Sequence, residues 1–367
     1  MPELLKGRYN QESIHALAIA IKTVHEDFQV ENFMDAVMDE TWENRELKAR
    51  MRKITICLGE YLPHDYEVAL QILDQVIDKL SNRLNGFMLM CFPDFVEVYG
   101  QDDNYWDLSV AALARYTPYS TSEFAVRPFI IKEEERMMKQ MLLWSQDENE
   151  HVRRLASEGC RPQLPWGQAL TSFKQNPLPI LPILEALKAD DSLYVRKSVA
   201  NNLNDISKTH PELVISLAKE WFGVNPLTDR IIKHACRTLL KKGNPEVLAI
   251  FGYHALDSVK IEQFALDVST VALGDALSLT FAISVDKPAK VRMEYRVDYM
   301  KANGKRSGKI FQISETELKQ GVEKIYQKKL TFKNLTTRKH YAGKHSVTLI
   351  VNGIEQGTLD FELTIPQ

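Results

Sequence analysis

Apolar side chains recur at steps of three and four along the first two thirds of the chain, and at steps of two along the last third. Ile14–Val24, Glu46–Leu62, Tyr66–Leu80 and Trp106–Tyr116 each carry one apolar stripe, with Pro and Gly mostly between them. That period predicts amphipathic helices. From Phe264 the period changes. Ala265–Ser269, Leu277–Val285, Val291–Tyr299, Lys328–Phe332, Ser346–Val351 and Thr358–Ile365 are short alternating runs rich in Val, Ile, Thr and aromatic residues, with Asn303-Gly304 and Asn352-Gly353 as turn signals. About seven strands in roughly 100 residues predict a β-sandwich. The chain therefore reads as multi-domain. An all-α domain covers 1–258, an all-β immunoglobulin-like domain covers 261–367, and the boundary falls near Ser258–Ile261.

A weak repeat runs through the later helices. His151-Val-Arg-Arg-Leu-Ala, Tyr194-Val-Arg-Lys-Ser-Val-Ala and Arg230-Ile-Ile-Lys-His-Ala share an apolar–basic–basic–x–small pattern, and each follows a short polar loop. Their spacing, 43 residues from Val152 to Val195 and 36 from Val195 to Ile231, straddles the helix-pair period of HEAT-like arrays, about 40–47 residues. Such arrays stack into a solenoid with a concave face.

Composition adds bounds. Hydrophobic residues make up 44% and charged residues 26% of 367, ordinary for a chain that buries a core. No apolar stretch reaches the length of a membrane span and the first residues lack a signal-peptide core, so the expected compartment is the cytoplasm. Cys57, Cys91, Cys160 and Cys236 are scattered with no CxxC spacing, which predicts buried thiols and no metal centre. Net charge is −3, but it is unevenly spread. From Ile261 onward 16 Lys and Arg oppose 12 Asp and Glu, and Lys287–Lys344 holds all 16 bases against 5 acids. Lys305 and Arg306, with Lys301 and Lys309, flank the Asn303-Gly304 turn. Loops of a sandwich cluster at its ends, so these bases are expected to grip DNA from the side opposite the helices. Solubilising an exposed edge strand is the other account of the same lysines.

Over His151–Arg161 a helix would pack through Val152, Leu155, Ala156 and Gly159, and present His151, Arg154, Glu158 and Arg161 on a separate polar face. Pro162 and Pro165 stop it, and Trp166 follows. One stretch thus offers a carboxylate, two guanidiniums and an indole to one region. The spacing also describes an i,i+4 pair between Arg154 and Glu158 on a solvated face, with Trp166 as packing. In the next repeat Lys197 follows Arg196, and Lys197, Asn201, Asn204 and Lys208 line one face. Lys233, Arg237 and Lys241 then form an i, i+4, i+8 stripe. Stacked in register, these would make a basic strip suited to a phosphate backbone, although lysine-rich faces also serve solubility alone. Trp106 opens a helix and Glu123 follows a Thr-Ser pair that could cap another. Walker, GxGxxG and GxSxG motifs are missing from the sequence.

The run Ala156-Ser-Glu-Gly-Cys-Arg-Pro-Gln-Leu-Pro-Trp-Gly, followed by Tyr194-Val-Arg-Lys-Ser-Val-Ala-Asn-Asn-Leu-Asn-Asp, resembles the AlkC branch of the HEAT-like alkylpurine DNA glycosylases over essentially the whole chain. The sister AlkD branch carries Trp-Asp-x-Val-Asp with a catalytic last Asp. Here Trp106-Asp-Leu-Ser-Val puts Val110 at that place, so the acid must lie elsewhere. The AlkC resemblance implies Glu158 as the essential carboxylate, with Glu123 and Trp166 beside it. It implies a monofunctional glycosylase releasing cationic bases such as 3-methyladenine and 3-methylcytosine from double-stranded DNA without conventional base flipping. Arg154 and Arg161 would bind flanking phosphates and keep Glu158 ionised, and Trp106, Arg196, Lys197, Lys233, Arg237 and Lys241 would contact DNA. No cofactor, metal or obligate protein partner is implied, and a monomer is expected. A protein-interaction scaffold and a catalytically inert binder of DNA structures are the alternatives.

Overall fold

A computed structural model describes residues 5–80, 86–256, 259–334 and 338–365. Asp257 and Ser258, at the expected domain boundary, lie outside the described residues. Among those residues helices come first: α1 Gln11–Lys22, α2 Val30–Val37, α3 Leu47–Tyr61, α4 Tyr66–Leu80, α5 Cys91–Tyr99, α6 Trp106–Tyr116, α7 Val126–Lys132 and α8 Glu134–Trp144. They continue as α9 Glu150–Gly159, α10 Thr171–Gln175, α11 Leu181–Leu187, α12 Leu193–Ile206, α13 Pro211–Trp221, α14 Pro226–Ala235, α15 Arg237–Lys241 and α16 Pro245–Ile250. None is long and apolar enough to cross a membrane. The helices pack against helices one to three places away in sequence, as in α1 on α4, α3 on α5, α9 on α8 and α12, and α12 on α14. This neighbour-only packing is that of a helical-repeat array. The apolar positions predicted from spacing are its core. Ile14, Leu17 and Ile21 of α1, Leu70, Leu73 and Ile77 of α4, and Val195, Val199 and Leu203 of α12 are all buried. All four cysteines are buried free thiols.

The strands are β1 Val259–Leu266, β2 Thr270–Ala272, β3 Ala276–Val285, β4 Ala289–Met300, β5 Arg306–Leu318, β6 Lys324–Thr331, β7 Gly343–Val351 and β8 Ile354–Thr364. They form two sheets, ordered β1-β3-β6 and β2-β8-β7-β4-β5. Leu277, Leu279 and Leu330 of one sheet and Val297, Val347 and Phe361 of the other meet in the core between them. β5 went unread in the sequence, because Arg306-Ser-Gly-Lys and Ser314-Glu-Thr-Glu break the alternation, yet it pairs with β4 along its length.

By contacts the chain divides into two units. One runs to Thr209 and adds Asn225–Ala235; the other takes His210–Val224 and everything from Cys236. The second unit thus holds the last helices as well as the sandwich, and close backbone approach explains it. Gly243, after α15, lies so near the Asn352-Gly353 turn that a Cβ there would sit 3.1 Å from the Gly353 carbonyl oxygen. Asn352 Nδ2 also donates to His254 O at 2.9 Å.

Candidate active site

The site is built on α9, whose start is capped by Asn149 Oδ1 accepting from His151 N at 2.9 Å. At its other end Gly159 permits close packing, since a Cβ there would meet Val126 of α7 at 2.7 Å. Ser157 and Ser198 do the same toward α12, their hydroxyls 2.7 Å apart. These small residues draw α7, α9 and α12 together around Glu158.

Glu158 is only 5% exposed. Its Oε1 accepts from Arg161 Nη1 at 2.6 Å and lies 3.5 Å from Arg154 Nη2, while Oε2 accepts from Ser198 Oγ at 2.7 Å. Arg154 also donates from Nη1 to Glu123 Oε2 at 2.9 Å, and Thr121 Oγ1 donates to the same oxygen at 2.9 Å. Arg161 turns its Nε to Asp205 Oδ2 at 2.8 Å, and Lys208 pairs with Oδ1 at 2.8 Å. A ladder of alternating charge thus runs Glu123–Arg154–Glu158–Arg161–Asp205–Lys208. Burial by itself pulls the pKa of both arginines down, but Glu158 with Glu123 or Asp205 outweighs it and the net shift is upward. Both guanidiniums stay charged.

Glu123, Arg154, Glu158 and Arg161 of this ladder line an open cavity of about 670 Å³. Phe87, Met90 and Phe124 give it an apolar wall, and Tyr194, with Arg154 4.6 Å over its ring, also lines it. At the mouth Trp166 is 63% exposed and has φ of +62°. It occupies the third position of a turn closed by Gly167 N to Leu164 O at 3.1 Å, after Pro165. That position usually takes Gly or Asn, and a tryptophan there costs about 1–3 kcal/mol. Arg127, fully buried, donates to Gly159 O at 2.8 Å and Gln168 O at 2.5 Å, so it ties the loop to the end of α9. Neither Ser198, Asp205 nor Arg127 was singled out from sequence; Asp205 stands in the quoted Asn-Leu-Asn-Asp run, but its link to Arg161 is tertiary.

Several expected roles need correction. The polar face of α9 is only partly solvated: it lines the open cavity, while Ser198 and Asp205 of α12 engage Glu158 and Arg161. Arg161 is buried against two carboxylates, Glu158 and Asp205, and still lines the cavity. Trp106 is 3% exposed, packed edge-on against Phe129 with Arg136 over it, so it is a core residue and not a DNA contact. Arg196 is buried and donates to the carbonyls of Asp190 and Asp191, which fixes a loop. Asn204 is buried, and Asn201 faces His234 of α14 at 3.2 Å. Lys197 is exposed as expected. Lys233, Arg237 and Lys241 do not share one helix. The backbone leaves helical geometry at Cys236, with ψ of 4°, which puts Lys233 on α14 and the other two on α15.

In the second unit a cleft of about 530 Å³ is lined by Lys301, Asn303, Lys309, Arg338, Lys339 and Tyr341. It opens beside the β4–β5 turn. The pKa of Lys309 is lowered, by burial and then by Arg338, Lys241 and Lys301, so α15 contributes to this positive field. Lys305 and Arg306 are exposed at the turn but do not line the cleft, and Arg306 leans toward Asp360 at 3.9 Å.

A helical-repeat array holding paired carboxylates in an open cavity, followed by a sandwich, is an arrangement other proteins share. The family model described as "DNA alkylation repair enzyme" matches residues 120–239, and that of the "Uncharacterised protein YhaZ, C-terminal Ig-like domain" matches 260–365. The protein YhaZ of Bacillus subtilis, uncharacterised, is 47% identical over 98% of this chain and 99% of its own. The alkylpurine DNA glycosylase AlkC of Pseudomonas fluorescens, solved bound to DNA containing an abasic-site analogue, is 37% identical with a TM-score of 0.94, covering 99% of this chain and 100% of that one. The chain belongs to the DNA alkylation repair enzyme family, in its AlkC branch with a C-terminal immunoglobulin-like domain.

Proposed function

We propose that the protein is a monofunctional DNA N-glycosylase that releases cationic alkylated bases, such as 3-methyladenine and 3-methylcytosine, from duplex DNA. The observation that carries this reading is the pair Glu123 and Glu158, bridged by Arg154 in an open cavity with an exposed indole at its mouth. Its likeness to AlkC, which was solved on abasic-site DNA, supports the same chemistry.

Alkylation makes the base a cation and a good leaving group, so no acid has to protonate it. Breaking the N-glycosidic bond leaves positive, oxocarbenium-like charge on the deoxyribose. Glu158, held by Arg161 and Ser198, meets that charge with a fixed carboxylate and orients the attacking water. Glu123 is the second carboxylate, kept beside it by Arg154. Trp166 contacts the lesion from the cavity mouth, where a base exposed by distortion of the duplex is reached without insertion into a closed pocket. Lys197, Lys233, Arg237 and Lys241 contact phosphates, as do Lys301, Lys309 and Arg338 of the β-cleft with Lys305 and Arg306 beside it. The test is to incubate the purified protein with methylated duplex and identify released bases by chromatography. Release of 3-methyladenine is the expected result; tight binding with no released base would leave an inert DNA-structure binder.

A further inference from the structure

The left-handed Trp166 raises the question of what holds it there. Lys48 lies 118 residues away in sequence, on the first turn of α3. Its Nζ donates to the Trp166 carbonyl oxygen at 3.1 Å and sits 4.5 Å from the ring centre of Phe124 on the apolar wall. Among the described residues Lys48 makes no ion pair, although its charge acts on the Glu97 carboxylate at longer range. Arg127 holds the same loop through Gln168 O. The loop therefore has two anchors on different helices, one at the strained residue itself and one two residues after it. A strained residue persists only where its surroundings over-determine it.

We infer that Lys48 is a positioning residue for the reaction. Its ammonium holds the Trp166 carbonyl, fixes the left-handed turn and so sets where the indole stands at the mouth of the cavity. This rests on the glycosylase reading for the role of Trp166. The contact itself does not. The cation over Phe124 makes the anchor geometric as well as electrostatic, since Lys48 is then held from two directions.

The test uses the full chain with Lys48→Met, which keeps the stem and removes the donor, and Lys48→Arg, which keeps a cation. Single-turnover excision is measured in the natural background and with Trp166→Ala. Lys48→Met should slow excision about ten-fold, with DNA affinity changed less than about two-fold. Lys48→Arg should restore it to within about three-fold, and Lys48→Met should change the rate less than about two-fold once Trp166 is Ala. A second readout needs no turnover. Trp42, Trp106, Trp144 and Trp221 are buried and Trp166 is exposed, so the acrylamide-quenchable emission reports on Trp166. In Lys48→Met its fast anisotropy component should grow. An equal loss of rate in both backgrounds, or an unchanged anisotropy, overturns the inference, as does a loss seen only in affinity with a shallower salt slope. Wild-type protein that releases no base would overturn the glycosylase reading instead, and the anisotropy would still decide for or against Lys48.

Discussion

The carboxylates of the α9 cavity and the ammonium groups of the β-cleft are solvated in opposite ways. Glu158 is almost wholly buried and every oxygen is occupied, by two arginines and a serine. Lys301 and Lys309 are exposed, and the charges acting on Lys309 are those of Arg338, Lys241 and Lys301. The first arrangement has already met the cost of desolvation, so its charge acts at full strength on whatever enters the cavity, with little reorganisation. The second keeps its charges in water, where they attract a polyanion at a distance and are weakened by salt. One region is built for chemistry on a single bond. The other is built for a long, repetitive charge.

Breaking each region in turn should therefore fail differently. The largest effect is expected from Glu158→Gln, with a loss of about 10²–10³ in single-turnover rate and little change in DNA affinity. Because Glu158 is buried in an ion-pair ladder, this substitution should also lower stability by about 1–2 kcal/mol, measured by denaturant unfolding. Retention of more than about a third of the rate would move the essential acid elsewhere, Glu123 first.

Neutralising Lys301, Lys309 and Arg338 together to Gln should weaken binding to undamaged duplex about 10–100-fold and reduce the salt slope by about two to three units, with lesion preference unchanged. Binding isotherms at two salt concentrations measure it. If preference shifted while the slope held, these residues would be reading bases and not phosphates. Glu123→Gln should come next, at about a ten-fold loss of rate, because it reaches the reaction centre through Arg154 as well as directly.

The smallest effect concerns acid, and it separates the units again. His345 and His340 lie buried among Tyr299, Phe332 and Phe361. Burial pulls both pKa values below the ordinary 6.5, with Arg338 adding to it at His340. The unfolded chain then binds more protons, so their contribution is complete above pH 6.5 and is lost as pH falls through the window below it. Thermal unfolding at pH 5.5 should show the sandwich weakened by a few degrees relative to pH 7.5, about 1 kcal/mol per fully shifted unit. His345→Phe should flatten that dependence; an unaltered slope would assign it to carboxylates.

Periodicity alone defined the helices α1, α3, α4 and α6 and most of the strands, since a one-sided apolar stripe leaves few ways to be buried. It also placed Glu158, Arg154 and Arg161 on one face, since that face is a property of a single helix. The helix that engages it is not. Whether a polar face meets water or a neighbour depends on residues 40 or more positions away, here Ser198, Asn202 and Asp205. For the same reason Trp106 and Arg196 read as contacts and proved to be core. The stripe through Lys233, Arg237 and Lys241 assumed a helix that Cys236 interrupts. Local spacing determined which side chains share a direction. Only the packing of α7 and α12 around α9, and the contact of α3 with the loop that follows it, decided which of them are desolvated, which are neutralised, and what holds Trp166 at the mouth of the cavity.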